Sequence, residues 1–331
     1  MHFPIRALTL MLAFGVNAAL AQPAAYVAPS TPAGSGQWPA VMEMDAGLPT
    51  HTVYRPAQMP DAKLPIVAFA NGGCRNLGNR FRHFLTEIAS HGYLTIAIGP
   101  IGPGDQEEPG APSFSGEAAA GSPAAQHPER AHAKAVQEGG IKASLTYAAQ
   151  LTQAIDWALA ENARPGSPYY GKLDPSRIAV MGQSCGGLQA LDAAHDPRVR
   201  TLAVLNSGIF PITGRSWDMA AAHADMADLK TLHGSVLYLT GDPKDVAFPQ
   251  AEDDYAQINH IPAYRAWREK TPHAGTYREK NGGAFAEVVV AWLDWQLKGD
   301  SKASTLFMGS DCGLCKRADW HVQHKGFAAA R

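Results

Sequence analysis

The chain predicts an α/β fold: a mostly parallel central sheet with helices on both faces. Three observations carry this expectation. Short apolar runs alternate with stripes of apolar residues at helical spacing, the pattern of strands joined by crossover helices. One run, Ile178-Ala179-Val180-Met181, leads directly into Gly182-Gln183-Ser184-Cys185-Gly186, and a small-residue helix pattern leads out. Later runs end in a carboxylate-bearing turn and then in a histidine-bearing loop, so candidate reactive side chains collect just past strand ends.

Taken in order, residues 22–64 contain extended-looking segments near Val41–Met44 and Thr52–Tyr54, expected as leading antiparallel strands. Pro65–Ala70 is a strand followed by Asn71-Gly72-Gly73-Cys74. Phe81, Phe84, Leu85 and Ile88 recur at helical spacing and stop at Gly92, after which Tyr93–Ile98 reads as a strand. Leu151, Ile155 and Leu159 mark a helix before the Ile178 strand. Leu202–Leu205, Val236–Leu239 and Ile261–Trp267 are further strands, the last taken as the final one. Phe285, Val288, Val289, Trp292 and Trp295 form the core face of a closing helix that ends at Gly299. No internal repeat interrupts the pattern.

Of the 331 residues 46% are hydrophobic, enough for a large core, and the formal charge is −2. That balance has no basic excess to attract nucleic acid or anionic lipid, so the expected partner is a small, roughly neutral molecule. The amino terminus reads as an export signal over residues 1–21. Arg6 precedes an apolar run from Ala7 to Leu20, and Ala19-Leu20-Ala21 forms a small-residue cleavage site before Gln22. The expected location is therefore periplasmic or extracellular. No later run approaches the roughly 18 apolar residues of a membrane span, so no membrane anchor is expected after cleavage. Residues 22–331 are expected to form one domain, because residues from 184 to 273 must converge in space. Residues 101–140, rich in Gly, Pro, Ala and acidic side chains, read as a lid or recognition insertion, and residues 301–331 as a tail carrying a C-x-x-C pair.

The Gly182–Gly186 stretch has the form of a nucleophile elbow, in which a sharp strand-to-helix turn exposes the hydroxyl of Ser184 and flanking glycines permit close approach. A serine hydroxyl is not nucleophilic at neutral pH and needs a base and an acid to orient it. Asp245, in the turn Gly241-Asp242-Pro243-Lys244-Asp245 after a strand, is the first candidate acid, with Asp242, Asp253 and Asp254 as alternatives. His273, in Pro272-His273-Ala274-Gly275-Thr276, is the candidate base, with His260, His321 and His324 as competitors. The candidate oxyanion donors are the backbone N–H of Cys185 and that of Gly73 or Cys74, where glycines let the backbone come close to a substrate. This chemistry requires no cofactor and no metal.

Cys74 and Cys185 each adjoin a candidate donor. If both donors surround one oxygen, their Cα atoms fall within the disulfide window of about 4.4 to 6.8 Å, and an oxidising compartment favours the bond. Cys312 and Cys315 are expected to form a local disulfide. His321 and His324 make zinc the alternative, at a spacing much shorter than a zinc finger's.

The set Asn71-Gly72-Gly73-Cys74, Gly182-Gln183-Ser184-Cys185-Gly186-Gly187, Gly241-Asp242-Pro243-Lys244-Asp245 and Pro272-His273-Ala274-Gly275-Thr276 resembles the α/β-hydrolase superfamily over roughly residues 40–300. Within it, the chain is most similar to secreted serine hydrolases neighbouring dienelactone-hydrolase-like, chlorophyllase-like and polyester-hydrolase-like enzymes. The resemblance implies Ser184 as nucleophile, Asp245 as acid and His273 as base. Two departures bar transfer of substrate. Dienelactone hydrolases carry cysteine where this chain has Ser184, and polyester hydrolases usually place tryptophan and methionine where it has Gln183 and Cys185. The expected activity is that of a secreted serine esterase acting on small-molecule esters through an acyl-enzyme, with acyl esters of plant-derived carbohydrate as the class that compartment and branch suggest. The alternatives are a serine peptidase of the prolyl-oligopeptidase type, whose usual propeller domain has no room here, and a catalytically silent scaffold used for binding.

Overall fold

A computed structural model describes residues 29–102, 146–209 and 224–327. The expected export signal and nearly all of the expected 101–140 insertion lie outside the described residues. The described chain builds one nine-stranded sheet in the order β1-β2-β4-β3-β5-β6-β7-β8-β9. Its strands are β1 (Ala40–Glu43), β2 (His51–Pro56), β3 (Leu64–Ala70), β4 (Leu94–Ile98), β5 (Leu173–Gln183), β6 (Val199–Leu205), β7 (Ser235–Thr240), β8 (Ala263–Arg268) and β9 (Trp320–Lys325). From β4 through β8 the pairing is parallel, whereas β1, β2 and β9 pair antiparallel at the edges.

Alternation along each strand divides the core between the two faces. Ile66 and Ala68 of β3, with Ile178 and Val180 of β5, point to the face covered by α2 (Ala149–Ala163), α3 (Cys185–Ala193) and α4 (Phe248–Gln257). Val67, Phe69, Ala179 and Met181 point to the opposite face, covered by α1 (Arg82–Ser90) and α5 (Gly283–Lys298). The parallel strands are nearly uniform in burial because both of their faces are covered. Trp292, Phe285, Phe84 and Tyr264 are among the largest fully buried side chains on the α1 and α5 face. Among the described residues no helix is long and apolar enough to cross a membrane.

The chain reverses direction across the sheet at β3. It steps outward from β3 to β4, then returns to lay β5 on the other side of β3. Loops leaving β3 and β5 therefore diverge to opposite faces, and a crevice opens between them at the carboxyl ends of the strands. Ala70 pairs with Gly182, so the segments beginning at Asn71 and Ser184 start side by side.

One expectation needs correction. Ile261–Trp267 is not the final strand, because residues after α5 return through α6 (Ser301–Ser304) and add β9 antiparallel to β8. The alternation in Trp320–Lys325 is weak because β9 is an edge strand whose residues are mostly part-buried or exposed. Its stability comes from tertiary contacts: Trp267 stacks on His321 and Tyr264 on His324 across the pair.

Candidate active site

Ser184 occupies the single residue between β5 and α3, with φ 54° and ψ −122°. This is a sparsely populated region for a residue with a β-carbon, and holding it costs on the order of 1–3 kcal/mol. Neighbouring contacts impose it. A β-carbon at Gly182 would stand 2.0 Å from the Gly186 carbonyl oxygen, and one at Gly186 would stand 2.1 Å from the Ala70 carbonyl oxygen. Strand, turn and helix thus approach at a separation that only glycine allows. The turn is pinned further by the Ser184 N–H donating to the Leu205 carbonyl at 2.9 Å, and by the Ser207 hydroxyl donating to the Ser184 carbonyl at 2.7 Å.

His273 Nε2 lies 3.0 Å from Ser184 Oγ, and His273 Nδ1 lies 2.6 Å from Asp245 Oδ1. Three side chains spread over ninety residues of sequence thus form one hydrogen-bonded chain at the carboxyl edge of β5, β7 and β8. An ionised carboxylate only accepts, so Asp245 selects the tautomer with the proton on Nδ1 and leaves Nε2 to accept from the Ser184 hydroxyl. Asp245 and His273 are buried and Ser184 is part-exposed, which leaves the hydroxyl as the approachable member.

The Asp245 carboxylate is fully engaged. Oδ1 also accepts from the Ala247 N–H at 3.0 Å, and Oδ2 accepts from Asn206 Nδ2 at 2.7 Å and from the Gly241 N–H at 2.9 Å. Burial alone would raise this carboxyl. The hydrogen bond and electrostatic attraction of His273, then the Ala247 N–H and Asn206, outweigh burial and hold it below the ordinary carboxylate value. Tyr277 donates to Asn206 Oδ1 at 2.5 Å, extending the chain of bonds to a phenol packed edge-on against Phe81, Phe84 and Phe285. Burial, reinforced by the nearby Asp245 charge, raises the Tyr277 hydroxyl far above its ordinary range, so it remains a donor.

The other carboxylates weighed from sequence are occupied elsewhere. Asp242 accepts from the N–H groups of Lys244 and Lys270 and braces its turn. Asp254, on α4, accepts from the Ile209 N–H and the Tyr238 hydroxyl. Asp253 adjoins it on the same helix. Of the competing histidines, His260 meets the Leu232 carbonyl, His321 pairs with Glu269, and His324 stacks on Tyr264.

Gly73 and Cys74, with φ of 64° and 46°, turn the loop after β3 back toward α3. Cys74 is disulfide-bonded to Cys185, the first residue of α3, at a Cα separation of 5.3 Å. The bond links the two segments that bear the candidate oxyanion donors. Cys312 and Cys315 form the second disulfide, so both thiols of the alternative zinc set are consumed. Among the described residues no cluster of three or more His, Cys, Asp or Glu side chains could hold a metal ion.

Sequence reasoning overlooked Gln183, Asn206 and Tyr277. Gln183 Nε2 donates to the His273 carbonyl at 3.1 Å, and a β-carbon at Gly72 would lie 1.9 Å from Gln183 Oε1. The amide therefore wedges the loop after β3 against the histidine loop. A signal existed for Asn206, a polar residue directly past the apolar end of β6, in the same place as Ser184 on β5. Tyr277 had none, because its role depends on where a loop folds. Scans against protein-family models and curated proteins find no match to this chain.

Proposed function

We propose that the chain is an exported serine hydrolase of the α/β-hydrolase type that cleaves carboxylic esters of small molecules through an acyl-enzyme. The observation carrying this reading is the unbroken Asp245–His273–Ser184 chain, at 2.6 and 3.0 Å, with its serine strained and approachable at a strand-to-helix turn. In this mechanism His273 Nε2 accepts the Ser184 proton as Oγ attacks the ester carbonyl carbon, and Asp245 stabilises the imidazolium. Negative charge on the former carbonyl oxygen is met by the N–H of Cys185 and that of Gly73 or Cys74, each such donor being worth about 3 kcal/mol. The C–O bond to the alcohol then breaks, His273 returns the proton to the leaving oxygen, and water repeats the sequence on the acyl-enzyme.

The two disulfides accord with an oxidising compartment. Fluorophosphonate labelling tests the reading directly. Wild type is expected to take one adduct on Ser184 and to hydrolyse short 4-nitrophenyl esters, and Ser184→Ala to do neither while unfolding at an unchanged temperature. Turnover by folded Ser184→Ala would refute it, and absence of an adduct on wild type would favour a silent scaffold.

A further inference from the structure

The loop after β3 carries a cation, Arg75, with no counter-ion among the described residues. Residues 71–75 fold around the Asn71 side chain, whose Nδ2 donates to the Arg75 carbonyl at 3.2 Å and to the Ile98 carbonyl at 2.7 Å. This turn lays the Arg75 side chain beside Gly73: its Cγ, Nε and Cδ stand 3.5, 3.7 and 4.0 Å from the point that a β-carbon on Gly73 would occupy. Gly73 is exposed, whereas Gly72 and Cys74 on either side of it are buried, so Arg75 borders the one solvent-facing residue of the candidate oxyanion loop. Cys74, the residue between them, is tied at 5.3 Å to the residue that follows Ser184.

Arg75 is part-exposed, and its guanidinium makes no hydrogen bond or ion pair among the described residues. Other arginines of similar exposure behave differently. Arg55 pairs with Glu43, Arg198 with Asp156 and Asp196, and Arg268 with Asp319. At Arg75 the side chain runs beside Gly73 of the candidate oxyanion loop as far as Nε, and among the described residues no carboxylate pairs with its charge.

We propose that Arg75 selects esters that carry a carboxylate near the scissile carbonyl, a specificity that rests on the esterase reading above. A guanidinium presents paired N–H donors that match a carboxylate in geometry as well as charge. A second negative charge close to the developing oxyanion would raise the barrier unless a cation stood beside both. The net charge of −2 provides no long-range attraction for an anion, so recognition must be local, at a pre-placed group.

The test uses two matched ester pairs on the full-length mature protein. Mono-4-nitrophenyl succinate and 4-nitrophenyl butyrate differ by a carboxylate on the acyl side, and 4-acetoxybenzoate and phenyl acetate differ by one on the alcohol side. Wild type is expected to favour the anionic member of at least one pair in kcat/KM, and which pair locates the carboxylate. Arg75→Gln is expected to lower that anionic-to-neutral ratio about 10- to 100-fold, the range for a hydrogen bond to a charged group. Arg75→Lys should recover part of the ratio, because the charge remains while the fork is lost. A ratio unchanged by Arg75→Gln in both pairs, or neutral and anionic rates falling together, would overturn the specificity while Ser184-dependent turnover of neutral esters left the esterase reading standing. Failure of every ester together with absence of a Ser184 adduct would overturn both.

Discussion

At Asp245 four hydrogen bonds converge on two oxygens, and this separates it from its neighbour three residues earlier. Asp242 accepts from two backbone N–H groups and touches no imidazole. Both aspartates sit in the same turn after β7, which is why sequence reasoning put Asp245 first yet kept Asp242 as an alternative. The difference is testable by comparing isosteric amides. Asp245→Asn is expected to lower kcat by roughly 10⁴-fold, because an amide facing Nδ1 favours the wrong imidazole tautomer. Asp242→Asn should leave the rate within a few-fold of wild type. Equal losses, or a larger loss at Asp242, would reassign the acid. Asn206 and Tyr277 form one hydrogen-bonded chain behind this residue: the first donates to the carboxylate, and the second donates to the first.

At the scale of elements, the decisive contact joins the loop after β3 to the start of α3. Side-by-side β3 and β5 bring both segments together, and the Cys74–Cys185 disulfide makes that proximity covalent across 111 residues of sequence. Closing a loop of this length removes on the order of 4–5 kcal/mol of unfolded-chain entropy. Replacing both cysteines with serine is expected to cost several kcal/mol in denaturant unfolding and to lower kcat by loosening the candidate oxyanion loop. In wild type, alkylation under denaturing, non-reducing conditions should leave all four cysteines unmodified by intact mass. Alkylated Cys74 and Cys185 would contradict the clamp. Gln183 is a second, non-covalent wedge at the same junction, packed over Gly72 and bonded to the histidine loop.

For the whole molecule, two buried carboxyls give stability opposite dependences on pH. Asp245 is held below its ordinary value, so its contribution is complete above the unfolded carboxylate range and is lost as pH falls through the folded value. Asp254 is pushed up to about 7. Burial raises it, the Ile209 N–H and Tyr238 hydroxyl pull it down, and the Asp253 charge adds to the rise. A carboxyl raised on folding stabilises fully below its unfolded value of 3.8, and this stabilisation declines as pH climbs toward 7. Asp254→Asn removes the titration while keeping an acceptor for Ile209 and Tyr238. Its melting temperature relative to wild type is expected to rise between pH 5 and pH 8. A difference that stays flat across this range would place the Asp254 proton elsewhere.

Strand and helix periodicity, the elbow between Met181 and Gly187, and the serine, aspartate, histidine order could all be read along the chain, because each is a local pattern of side-chain size and polarity. The edge strand β9 could not: its exposed side chains carry little apolar signal, and it forms only because β8 offers an unpaired edge. Nor could sequence exclude Asp242 in favour of Asp245, or reveal the contacts of Gln183, Asn206 and Tyr277 and the position of Arg75 beside Gly73. Those depend on which loops share the carboxyl edge of the sheet and how each turn aims its side chains. The local chain determined which chemical groups were present. Strand order and the reversal at β3 decided which of them meet, since contacts between residues a hundred positions apart are set by packing rather than by neighbours in sequence.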